Sequence, residues 1–131
     1  MIYLTLLEIA DLLACLLETD YVTAGCIDAS KIKTVGVYQR EGFVFRECIG
    51  ADSSYQTARI RILIHWTDNP SQTERKALEI AELFNGFEDI ETQNHIIKFA
   101  EVKAVRNIGK DEKGICEYIA DVDLIYTERT I

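Results

Sequence analysis

The sequence predicts an α+β domain in which a mostly antiparallel sheet carries two helices on one face. Apolar residues recur with a helical period near the start and the middle of the chain, and elsewhere they alternate with polar residues. The predicted order of elements is α-β-β-β-α-β-β. Turn-like segments join several successive strands, which favours antiparallel pairing. A chain of 131 residues has the size of one domain, so residues 1–131 are predicted to fold as a single unit.

The first helix is predicted over residues 2–18. Its polar stripe is narrow, whereas a surface helix of a small monomer usually has a broader polar face. Two explanations remain open: deep burial in its own domain, or contact with another subunit. Three leucines add apolar surface beside the main apolar face and are candidates for such a contact, namely Leu4, Leu7 and Leu12.

The next part of the chain predicts two strands joined by a tight turn. Residues 20–33 are predicted to be irregular, and alternation over 34–40 predicts a strand. Glu41-Gly42 is typical of a hairpin turn, and residues 43–49 predict the returning strand. A polar loop is predicted over 50–56.

The central strand is predicted over residues 57–66 and presents two different faces. Its apolar face contains Ile60, Ile62, Ile64 and Trp66, and its other face contains Arg59, Arg61, Leu63 and His65. Pro70 ends the strand because proline lacks the backbone donor that a sheet requires.

The second helix is predicted to begin at a capping box formed by Ser71 and Glu74. Its apolar residues follow a helical period and predict one buried face: Ala77, Ile80, Ala81 and Phe84. Gly86 is predicted to end the helix in a left-handed conformation, with Phe87 folding back on the last turn.

Two long strands are predicted to complete the sheet. An acidic connection over 88–91 leads to a strand over 96–106. A charged hairpin loop over 109–114 follows, bounded by two glycines, and the last strand covers 115–126.

Charged residues of the central and last strands could form a binding surface. Arg59 and Arg61 project from the same face, where they could bind carboxylates of a partner subunit. They could instead pair across the sheet with Asp121, Asp123 or Glu117, and this cross-strand pairing is the favoured alternative.

No catalytic, cofactor or metal site is predicted. His65 could act as a base, but the sequence offers no matching nucleophile, so an ordinary hydrogen-bonded strand histidine is favoured. The cysteines contain no CxxC pair and no metal-ligand spacing with the histidines, which favours reduced, structural cysteines; they are Cys15, Cys26, Cys48 and Cys116. The glycine-bounded loop at 109–114 lacks the GK[ST] sequence of a phosphate-binding loop.

Charge and hydropathy indicate a soluble cytoplasmic protein. Apolar residues make up 48% of the chain and charged residues 27%, as in soluble globular proteins. Glu8 and Asp11 interrupt the leucine-rich start, so neither a signal peptide nor a membrane span is expected. The formal net charge of −8 disfavours tight binding of DNA or RNA, which requires clustered Lys and Arg.

Several short segments resemble bacteriophage minor capsid and tail-terminator proteins. They follow the predicted first helix and are spread over nearly the whole chain: Val35-Gly36-Val37-Tyr38, Ala58 to Ile64, Asn69-Pro70-Ser71 with its Glu/Ala-rich helix, Ala100 to Arg106, and Ile119 to Thr127. The resemblance implies a structural virion protein without enzymatic activity, assembled in the cytoplasm of the bacterial host. It implies a hexameric ring that caps the tail tube and contacts a head-completion or neck protein, while DNA passes through the channel without specific binding.

The resemblance also suggests where such a ring would be joined. The expected assembly interface comprises the three leucines named above together with Arg59, Arg61, Asp121 and Asp123. Loops at 20–33, 50–56 and 88–95 are expected to contact the tube or the neck. Two alternatives remain: another neck component, such as a head-closure or tail-completion protein, and a small enzyme with its site at a subunit interface.

Overall fold

A computed structural model describes residues 3–17, 21–41 and 55–129 of the chain. The described part contains two helices and a six-stranded sheet. The helices are α1 (Leu6–Leu17) and α2 (Pro70–Asn85), and the strands are β1 (Val22–Ala24), β2 (Thr34–Gln39), β3 (Gln56–His65), β4 (Glu88–Glu91), β5 (His95–Lys110) and β6 (Cys116–Glu128). The α+β class is therefore confirmed.

The sheet is mixed, with the strand order β1-β2-β3-β6-β5-β4. All its neighbouring strands are antiparallel except β1 and β2, which are parallel. The predicted order is incomplete because it lacks β1 and β4, which lie in segments expected to be irregular. β1 is too short to show an alternating pattern, and β4 is a mostly exposed edge strand rich in acids. The strand predicted over 43–49 lies outside the described residues.

One apolar core joins both helices to the sheet. The isoleucines of the predicted apolar face of β3 are buried, whereas Trp66 follows the strand and is partly buried. β6 contributes alternating residues to the same core. The helices supply Ile9 and Leu13 from α1 and Ile80 and Phe84 from α2. Because residues from the two helices belong to one core cluster with the same faces of β3 and β6, the cross-strand charges lie on the opposite face of the sheet.

The N-cap of helix α2 lies two residues earlier than the predicted capping box. Asn69 is the N-cap, and its side-chain oxygen accepts hydrogen bonds from the backbone N–H groups of Ser71 and Gln72, at 3.0 and 3.1 Å. The prediction that Ser71 caps the helix is wrong because Pro70 fits the first helical position, where no donor is needed. Glu74 instead accepts a hydrogen bond from the Tyr118 hydroxyl at 3.0 Å.

The end of α2 also differs from the prediction. Gly86 has φ −87° and ψ 0°, so it is not left-handed, and its N–H reaches the carbonyls of Glu82 and Leu83. Phe87 is buried and its ring centroid lies 5.0 Å from that of Phe84, as the predicted fold-back requires. The left-handed backbone conformation in this part of the chain falls instead on Asp89 in β4, whose φ is 50°.

The β5–β6 hairpin is longer than predicted. β5 extends to Lys110, and β6 continues through the residues after Tyr126 to Glu128. Irregular pairings near Phe99, Ala104 and Gly109 bend the hairpin. Pairing of β5 with β4 stops at Phe99, so in the described ranges no strand borders the outer edge of β5 beyond that point.

Candidate functional site

The polar face of the sheet contains a two-point ion pair between β3 and β6. Arg61 lies opposite Asp121, and its Nε and Nη2 donate to the two carboxylate oxygens at 2.7 and 3.2 Å. These hydrogen bonds raise the pKa of Arg61 and hold the pKa of Asp121 below its ordinary value, against the opposing effect of burial. The favoured cross-strand pairing is thus confirmed for this pair.

A second group of charges surrounds Asp123 on the same face. Arg40 makes an ion pair with Asp123, and Lys103 lies 4.0 Å from the same carboxylate. Arg59 lies opposite Asp123 in the strand register, and its Nε is 3.7 Å from Glu41. Arg40 was not predicted as part of this group; it directly follows β2 and contacts Ile60 of β3 and Asp123 of β6. The cations around Asp123 thus pair with carboxylates of the same chain.

His65 lies fully buried at one end of the sheet, as an ordinary strand histidine bound to a carboxylate. Its Nδ1 is 3.0 Å from Glu117 Oε2, and Glu117 lies opposite it on β6. Its Nε2 is 3.7 Å from Asp111 Oδ2 and has no hydrogen-bond partner among the described residues. The groups nearest the two ring nitrogens are therefore carboxylates, and the favoured hydrogen-bonded role of His65 is confirmed.

A second buried histidine joins α1 to the turn between β4 and β5. Glu8 accepts hydrogen bonds from the Thr92 hydroxyl and from the Asn94 N–H at 2.9 Å, and the same oxygen lies 2.9 Å from His95 Nδ1. Burial alone raises the pKa of Glu8, but these hydrogen bonds outweigh it and the pKa lies below its ordinary value. This cluster could not be predicted from the sequence, because Glu8 is more than 80 residues from its partners.

The three candidate leucines of the first helix have different environments. Leu4 is 1% exposed and belongs to the core, just before α1 begins. Leu7 is 63% exposed, and Leu12 is half-buried at the edge of a groove. One face of α1 packs in the core, which supports burial within its own domain. Leu7 remains exposed, which is compatible with contact to another subunit.

Two open grooves of opposite charge lie on the described surface. An acidic groove of about 220 Å³ is lined by Glu8, Asp11, Leu12, Cys15, Glu91, Thr92 and Gln93. A basic groove of about 310 Å³ is lined by Lys33, Trp66, Gln72, Arg75, Lys76 and Glu79. Neither groove was predicted, because each combines side chains from segments that are distant in the sequence.

The described residues contain neither a cluster typical of a metal site nor a helix suited to crossing a membrane. Across residues 3–17, 21–41 and 55–129, no three His, Cys, Asp or Glu side chains come together as a metal site would need. Neither α1 nor α2 has the combined length and apolar character needed to cross a membrane.

Comparison with known protein families gives a match over most of the chain. The sequence model of a family described as bacteriophage tail terminator protein matches residues 9–128. That match covers α2, all six described strands and most of α1. The search of curated proteins found no match.

Proposed function

The chain belongs to the bacteriophage tail terminator family, and from this we propose that it forms a hexameric ring that caps the tail tube of a long-tailed phage. In this role it stops polymerisation of the tube and offers a surface to the neck or head-completion proteins. It acts as a structural protein of the virion, assembled in the host cytoplasm as one domain over residues 1–131. The observation that carries the proposal is the family match over residues 9–128.

The contacts of the polar sheet face support a structural role over a catalytic one. Arg61, Asp121 and Asp123 are engaged by partners within the chain, in geometries that fix them in place. Such groups can present a rigid charged surface to a neighbouring copy without further rearrangement. We therefore keep them, with Arg59, as members of the proposed assembly interface.

The ring requires each copy to present two different surfaces to its neighbours. Head-to-tail contacts of this kind close into a ring when the rotation between copies permits closure. The exposed Leu7, the half-buried Leu12 and the outer edge of β5 after Phe99 are available for such contacts. Leu4 is buried in the core, so its proposed part in the contact is indirect: it anchors the segment just before α1, the helix that carries Leu7 and Leu12.

The acidic balance suits a ring through which DNA passes. A formal net charge of −8 opposes retention of phosphates along the channel wall. The segments 20–33 and 88–95 are proposed contacts with the tube or the neck; the first includes strand β1 and the second includes strand β4. The loop proposed at 50–56 lies mostly outside the described residues.

The direct test adds the purified protein to tail-tube subunits that are polymerising. Capping predicts that tube lengths become limited as protein is added, and that negative-stain images show a ring at tube ends only. Uncontrolled tube length with unbound ends would contradict the terminator role. Binding to isolated neck complexes, with no effect on tubes, would favour the alternative of a head-closure or tail-completion protein.

A further inference from the structure

The basic groove is a concentration of positive charge on an acidic chain. It lies where β3 ends and α2 begins: Trp66 follows β3, Lys33 precedes β2, and Arg75 and Lys76 are on the first turns of α2. Lys76 Nζ lies 5.1 Å from the centre of the Trp66 ring. The positive end of the helix dipole adds to the field of these cations.

Two cations of the basic groove have no ion-pair partner among the described residues. Lys33 and Arg75 are exposed and unpaired there, whereas Lys76 has Glu79 at 3.4 Å. Most arginines elsewhere on the described surface do have carboxylate partners, as on the polar sheet face and at Arg129. The basic groove is thus available for carboxylates from outside the chain.

The acidic groove lies at the opposite end of the sheet. The β6 residue nearest the basic groove is Cys116, whose N–H donates to Thr67 just after Trp66. At its other end, β6 pairs Glu128 with His95, next to the turn that carries the acidic-groove residues Glu91 and Gln93. Thirteen residues of β6 separate these ends, which corresponds to roughly 40 Å of extended strand.

We propose that the basic groove of one copy receives the exposed β4–β5 turn of a second copy, so that Lys33 and Arg75 pair with Glu91 and Asp11. This proposal rests on the proposed ring and names the contact that joins its members. Glu91 also has Arg129 at 3.3 Å, but both side chains are exposed, so this pair is weak and can be shared.

Charge and position favour a second copy as the occupant. Copies with a net charge of −8 repel one another, so a contact between them is least opposed where a basic surface meets an acidic one. The two grooves lie at opposite ends of one sheet and use different residues, as a head-to-tail contact requires.

The test reverses the charges of the basic groove and measures assembly. The double variant Lys33→Glu/Arg75→Glu is compared with Lys110→Glu/Lys113→Glu, which makes the same change in net charge on the β5–β6 hairpin. The readout is mass by light scattering over 50–500 mM salt, with rings counted by negative stain on tail-tube ends. Circular dichroism and Trp66 fluorescence verify folding of each variant.

We expect the groove variant to raise the protein concentration needed for rings at least tenfold, and the hairpin control to change it less than threefold. A second double variant, Asp11→Lys/Glu91→Lys, should fail alone and form rings again when mixed with the groove variant. That rescue requires direct contact between the two sites, which loss of folding cannot imitate.

The outcomes separate this contact from the ring itself. If the groove variant and the Asp11→Lys/Glu91→Lys variant each form rings as readily as the wild type, the groove contact is wrong while the ring stands. Equal loss in the hairpin control, or absence of rescue in the mixture, also overturns it. Binding of duplex DNA by Lys33 and Arg75, in place of a second copy, would overturn it too. If the wild type forms no ring even on tubes, the proposed function fails first.

Discussion

At the residue scale, the Glu8 cluster shows how a charged side chain can serve the fold of a leucine-rich helix. Glu8 is only 8% exposed, and a buried carboxylate is costly unless it is hydrogen-bonded. Thr92, Asn94 and His95 provide these contacts from the β4–β5 turn. The proposed contact between copies uses Glu91, which lies next to this turn. The Glu8 cluster therefore also holds that part of the contact surface against α1.

Replacing Glu8 should destabilise the protein in a pH-dependent manner. We expect Glu8→Gln to lower the free energy of unfolding by about 1–3 kcal/mol at pH 7, because it leaves buried donors poorly satisfied. The pKa of Glu8 is lower in the folded state than its ordinary 4.5, so the stabilisation is present above pH 4.5 and is lost as pH falls through the folded-state pKa. Urea unfolding at pH 7 and pH 3 measures both effects.

The control for Glu8 is Asp11→Asn, one turn later on the exposed side of the same helix. It removes the same charge and should change the unfolding free energy by less than about 0.5 kcal/mol. A difference between wild type and Glu8→Gln that stays constant down to pH 3 would contradict the role assigned to the carboxylate.

Two glycines should respond differently to the same substitution. A Cβ at Gly36 would lie 2.7 Å from both Ile27 Cγ2 and Tyr38 Cε2, so Gly36→Ala requires these side chains to shift and should cost about 1–3 kcal/mol. A Cβ at Gly86 would have only ordinary contacts at 3.5 Å or more, and its φ is negative, so Gly86→Ala should cost less than about 1 kcal/mol. Thermal unfolding of both variants measures the difference, and a larger loss at Gly86 would contradict the cap geometry.

At the element scale, the chain shows which patterns can be predicted from sequence. β3 and β6 were predicted with their correct faces because alternation over ten or more residues is a strong signal. β1 and β4 were missed because strands of three and four residues at a sheet edge are too short to show such a pattern; β1 is half-buried and β4 is mostly exposed. The two grooves could not be predicted, since each depends on which segments the fold brings together.

The start of α2 allows a direct comparison of two candidate caps. We expect Asn69→Ala to lower the free energy of unfolding by about 0.5–2 kcal/mol, because the Asn69 side chain accepts from two otherwise unpaired N–H groups. Ser71→Ala should change it by less than about 0.5 kcal/mol, since Ser71 is exposed and already inside the helix. Urea unfolding of the two variants decides between the caps, and a larger effect at Ser71 would restore the capping box.

At the scale of the whole molecule, the helices and the sheet are predicted to unfold together. Both described helices contribute to the same core cluster as β3 and β6, and the two ends of the sheet are linked through these strands. A single core of this kind favours one cooperative transition. The surfaces proposed for ring assembly all depend on that core, because they come from elements that it holds in place.

Ile62 tests this dependence because it is fully buried in the middle of β3, between residues of β2 and β6. We expect Ile62→Ala to lower the free energy of unfolding by about 2–5 kcal/mol, a large share of the roughly 5–15 kcal/mol typical of a small protein. Circular dichroism and Trp66 fluorescence should give the same midpoint, since one core supports helices and sheet alike. Leu78→Ala is the matched control: Leu78 is 49% exposed on α2, so its loss should cost less than about 1 kcal/mol. Separate midpoints for the two probes would contradict the single core, and would imply that ring contacts on α1 and α2 can be lost independently.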